Sequence, residues 1–149
     1  MSASAFLQLR DALVAHLQSD PAIAAVPVYA SRARPIGQEE GAAVNLVLSD
    51  SKAAHVVTQH TDWHTGFFID CTARAAPGVA DAATVADALL RAVYVRMAAF
   101  APPALGVIDM VVDEAIRWDH AAEDVPYASA TLRVTVQHRT PGHTLQPAT

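Results

Sequence analysis

The chain has 149 residues, of which 52% are hydrophobic and 17% charged, enough apolar material for one compact domain. Its net charge of −5 and pI of 5.7 argue against a dedicated nucleic-acid binder, which carries a basic stripe. No run reaches the roughly 18 apolar residues of a membrane span, and the single cysteine, Cys71, excludes an internal disulfide framework and fits a reducing compartment.

Residues 4–18 read as an amphipathic first helix rather than a signal peptide, because no basic n-region precedes the apolar stretch. Ser4 is the expected N-cap, and Phe6, Leu9, Leu13 and Leu17 form one stripe. "SDPAIAAV" restarts a short turn with Pro21 at its first helical position, and Pro27 stops it. A short extended piece and a loop follow, with Pro35, Gly37 and Gly41 as breakers and Glu39–Glu40 solvated. "AAVNLVLSDS" predicts a strand with Val44, Leu46 and Leu48 on one side.

From Trp63 the chain alternates with a period of two. Trp63, Phe67, Ile69, Cys71 and Ala73 share one face; His64, Gly66, Phe68, Asp70, Thr72 and Arg74 share the other. Cys71 is therefore expected to be buried and unreactive. A second helix follows, opened by Pro77–Gly78 and closed by Pro102–Pro103. Its stripe is Val79, Ala82, Val85, Ala86, Leu89, Val93, Met97 and Phe100. Two further alternating segments form an antiparallel hairpin. In the first, Ile108, Met110, Val112, Ile116 and Trp118 oppose Asp109, Asp113, Arg117 and Asp119. In the second, Ala130, Leu132, Val134 and Val136 point inward and Arg133 and Arg139 outward, toward the outward aspartates.

This order predicts a single α+β domain over residues 1–140. Its mostly antiparallel sheet has four to five strands, two main helices pack on one face, and residues 141–149 form a flexible C-terminal tail.

The segment "HVVTQHTDWH" holds three of the seven histidines. On a strand, His60 and His64 would share a face but stand roughly 13 Å apart, too far to ligate one zinc ion at about 2.0–2.1 Å each. His55, an odd number of residues from both, would face the opposite way. Only a helix or a gathering loop would bring them together, so the segment reads as a polar loop or strand face and no metal is assigned. Nucleophilic catalysis has no support, since neither a G-x-S-x-G elbow nor a P-loop is present. Asp109, Asp113, Asp119, Glu123 and Asp124 read as a solvated or interface face, because nothing in the pattern buries them enough to raise a pKa. No enzyme activity and no cofactor are expected.

Three stretches carry a family resemblance: "LRDALVAHLQSDPAIAAVPVYA", the strand "FFIDCTARA" running into "VADALLRAVYVRM", and the closing "ASATLRVTVQHRTPG". In this order and length the chain resembles the tail terminator (tail completion) proteins of long-tailed bacteriophages, the group of lambda's minor tail protein U. The resemblance implies a non-enzymatic virion protein at the tail–neck junction, assembled in the host bacterial cytoplasm. It implies a homo-hexameric ring that caps the tail tube, ends its polymerisation and offers a docking surface to the head connector. Its partners would be other copies of itself, the tail tube protein and the neck protein. DNA would pass through without specific binding, and no membrane is involved.

On that reading Glu39, Glu40, Asp50, Asp62, Asp109, Asp113 and Asp119 are candidates for lining the channel, with Arg133 and Arg139 at the channel or ring interface. His55, His60 and His64 would form a partner-contact loop or hairpin with Trp63 as a buried anchor. Two other readings stay open. One is another neck, head-completion or tail-tube ring component. The other, of a different class, is a small metal-dependent enzyme using the segment from His55 to His64.

Overall fold

The computed structural model describes residues 2–30, 41–75, 81–100, 105–121 and 126–148, apart from the side chains of residues 113 and 114. The elements in chain order are α1 (Ala5–Gln18), β1 (Val28–Ala30), β2 (Ala42–Val57), β3 (His60–Arg74), α2 (Ala82–Ala98), β4 (Val107–Ala121) and β5 (Tyr127–Pro141). The strands form one five-stranded sheet in the order β1-β2-β3-β5-β4. Every pair is antiparallel except the short parallel β1–β2 contact. This is the expected α+β domain.

The sheet's two faces follow from the period of two. Along β5, burial alternates without a fault from Ala128 to Thr140. On β3 the same face presents Phe67, Ile69, Cys71 and Ala73, all fully buried. Both helices cover this face. α1 contributes Leu9, Leu13 and Leu17; α2 contributes Leu89, Leu90, Val93 and Met97; all join the strand residues in one core. The four-residue spacing of the buried α1 positions is the helical stripe that the sequence predicts.

The helix ends are tied by different means. Asp81 caps α2: its carboxylate accepts from the Thr84 backbone N–H and hydroxyl, both at 2.9 Å. Ser4 stands at the N-cap of α1 with extended backbone, but its side chain makes no capping bond. The free Ala5 N–H instead donates to the Leu145 carbonyl at 2.7 Å. The segment after Pro141 is thus engaged: Ala148 N–H also donates to Arg139 O at 3.1 Å. His16 and Arg96 lock the two helices together. Arg96 Nε donates to His16 O at 3.0 Å, and His16 Nε2 lies 2.7 Å from Arg96 O. The breakers Pro77–Gly78 and Pro102–Pro103 lie outside the described residues.

β2 departs most from expectation. It continues to Val57, and the two residues Thr58–Gln59 turn it into β3. "HVVTQHTDWH" is therefore the tip of a long hairpin. Two bulges, between Leu48 and Asp50 and between Ala53 and His55, shift the face that later side chains take. β4 carries another between Val107 and Asp109. It turns Ile108 outward, 49% exposed, although the sequence places it with the inward set.

Gly106 leads into β4 with φ +68°, and a Cβ there would lie 2.6 Å from the Arg139 carbonyl oxygen. Gly106→Ala is expected to lower the free energy of unfolding by about 2 kcal/mol. Urea titration measures this, and an unchanged midpoint would contradict the strain.

Candidate functional site

The helix-free face of the sheet collects most of the residues the sequence singles out. On β3, Asp62 faces Arg139 of β5 directly across the ladder. Arg139 Nε donates to Asp62 Oδ1 at 2.6 Å and Nη2 donates to Oδ2 at 3.0 Å, a two-pronged pair. The guanidinium holds the Asp62 carboxyl below the usual carboxylate range, against the opposing effect of its burial.

One step along, Arg133 Nη2 donates to Asp50 Oδ1 at 3.3 Å, reaching from β5 over β3 to β2. Gly66 makes this possible. A Cβ at Gly66 would stand 2.8 Å from Asp50 Oδ1 and 3.0 Å from Arg133 Nη2. Next, Thr131 Oγ1 donates to Asp70 Oδ1 at 2.6 Å. Arg133 and Arg74 also lie over the rings of Phe68 and Tyr127, at 5.7 and 5.5 Å.

The expected pairing of Arg139 with an aspartate of its hairpin partner is corrected. β5 lies between β3 and β4, and Arg139 turns to Asp62 on the β3 side; Arg133 also has a carboxylate partner there, Asp50 of β2. Asp109 and Asp119 lie on the same helix-free face at the far edge. Each accepts the backbone N–H of the residue that follows it, at 2.8 and 3.0 Å. Asp113 belongs to β4, but its side chain is not described; Glu39, Glu40, Glu123 and Asp124 lie outside the described residues.

The histidine prediction is also corrected. His55 and His60 do not face apart; their ring centroids are 6.2 Å from each other. The two-residue turn at Thr58–Gln59 places His55 level with Asp62, on the side shared by His60, Asp62 and His64. Among the described residues, no three His, Cys, Asp or Glu side chains come together as a metal-ligand set.

Two groups on the helix-covered face were not singled out. His138 is fully buried, continuing the inward series of Val134 and Val136. Its Nε2 and Thr65 Oγ1 are 2.7 Å apart, and Thr65 Oγ1 is 2.9 Å from Ser51 Oγ. Desolvation pushes its pKa down to about 4. Phe6 packs edge-on against both His138 and Trp63. Trp63, half-buried, donates from Nε1 to Thr140 Oγ1 at 3.0 Å. The alternation of β5, carried two residues further, points to His138. Near the end of β4, Trp118 is 40% exposed and stacks on His120 beside Thr84 and Asp87 of α2. The Cys71 thiol is buried, and desolvation pushes its pKa up to about 12, so it is held as an unreactive thiol.

No protein-family model matches the chain. No curated protein matches it either. Among solved structures, the chain is similar to a chain from the virion of a native gene transfer agent particle, with a TM-score of 0.55 and 19% identity. The match covers 87% of this chain and 94% of that one. At this identity the two share a fold.

His138 yields a pH prediction. It stays neutral in the fold down to about pH 4, whereas in the unfolded chain it takes a proton near 6.5. Its contribution to stability is therefore complete above the unfolded value and is lost as pH falls toward the folded one. Between pH 7.5 and 5, His138→Leu is expected to lose about 1–2 kcal/mol less than the parent, allowing for solvent screening. Equal losses in paired urea titrations would contradict this role.

Proposed function

We propose that the chain is a structural subunit of a phage-like virion, and within it the tail terminator. Copies would form a ring, hexameric in this reading, on the head-proximal end of the tail tube. The ring would end tube growth, offer a surface to the head connector and leave a channel for DNA. The observation that carries the reading is the fold shared with a virion chain over nearly the whole length of both.

The chemistry of the helix-free face supports a conduit. Asp50, Asp62, Asp109 and Asp119 are the described carboxylates proposed to face the channel. On this face Arg133 and Arg139 are each held by an aspartate. With these two arginines already paired and the four aspartates beside them, the face gives passing phosphates little to bind, so DNA slides past. The hairpin tip bearing His55 and His60 projects beyond the core, with Ser49 to Val56 all exposed. It is proposed as a contact for a neighbouring ring, with Trp63 and Phe6 stiffening its base.

Electron microscopy of particles assembled without this chain tests the proposal. Overlong or polydisperse tails that fail to join heads are expected. Tails of normal length left unjoined would move the chain to the neck, and intact infectious particles would end the structural reading.

A further inference from the structure

We propose that copies of this chain join edge to edge, β4 of one copy pairing with the outer half of β2 of the next, so that one sheet runs through the assembly. The inference deepens the ring reading and rests on it.

Among the described residues, both edges are open. β1 covers β2 only from Val44 to Leu46, and from Val47 to Val57 no described strand pairs the outer side. β4 has β5 on one side and no described strand on the other. Each edge presents a row of backbone donors and acceptors, the usual template for another strand. Outward side chains there include Ile108 and Val111 on β4, 49% and 54% exposed, and Val56 on β2, 65% exposed.

Strand direction makes the two edges complementary. β2 opposes β3, β3 opposes β5 and β5 opposes β4. β2 and β4 therefore run in opposite senses. A copy related by rotation about an axis along the strands brings its β2 antiparallel to β4, the pairing these hydrogen-bond ladders favour. The two surfaces differ, so the contact is head-to-tail, the kind that closes into rings.

Charge sets the register. One row crosses the sheet as Lys52, His64, Gln137 and Asp109. It ends in a cation at one edge and a carboxylate at the other. Both residues are exposed, and neither makes an ion pair among the described residues. With copies level, Lys52 meets Asp109 of the next copy on the helix-free side, and the free part of β2 runs along the first half of β4.

A cysteine pair tests this contact. Facing residues of paired strands lie within disulfide reach. The full-length double variant Lys52→Cys/Asp109→Cys is oxidised, both as purified chain and in assembled particles, and run on a non-reducing gel. A ladder of linked copies is expected from the double variant and from neither single variant; buried Cys71 stays out of it.

No ladder in either preparation, or a linked dimer from a single variant, would overturn the interface. In a second measurement, Lys52→Asp or Asp109→Lys alone lowers the assembled fraction several-fold in sedimentation. The exchange Lys52→Asp/Asp109→Lys restores it; no loss in the singles, or no rescue, would also overturn the contact. The interface and the terminator reading fail separately. A ladder from a chain whose removal leaves particles intact keeps the interface alone. Uncontrolled tail length without a ladder keeps the terminator alone.

Discussion

The structure depends on the two-residue alternation of β3 and β5, the strands paired along their length on both sides. A slip of one residue in either would turn Phe67, Ile69, Leu132 and Val134 from the core to the opposite face. No such slip is tolerable, because both helices press on that one side. This pair therefore fixes which face is apolar, where α1 and α2 lie, and which side chains remain to meet anything else. The helix-free face and the two sheet edges are what is left over.

Those leftovers account for the assembly reading. On the helix-free face, Asp62–Arg139 and Asp50–Arg133 link β3 or β2 to β5 and consume much of the charge. A sheet covered on one side, polar on the other and, among the described residues, open at both edges suits the proposed subunit that joins its own copies. The shared fold with a virion chain belongs to the same picture.

Most of the fold was legible in the pattern. The α1 stripe of Leu9, Leu13 and Leu17, the inward series on β3 and β5, and the stripe of α2 all follow from simple periods. What failed was local. A bulge adds one residue and reverses every side chain beyond it, and nothing in "SDSKAAHV" announces two of them. His55 takes the face opposite to the one that counting gives, because counting along one strand ignores the turn at Thr58–Gln59. Ile108 is turned outward by the bulge at the start of β4.

The candidate site was legible by composition but not by partner. Arg133 and Arg139 point outward as the alternation predicts, yet the described aspartates they bind, Asp50 and Asp62, lie on β2 and β3, since strand order is not a local property. His138 was within reach of the alternation rule but hidden by its polar identity. The account as a whole stands on where the chain resides. A cryo-electron microscopy map of the head–tail junction in purified particles tests that most directly. It is predicted to show a closed ring of this fold between the last tube ring and the connector. A junction built without the chain, or purified particles that lack it, would contradict the account.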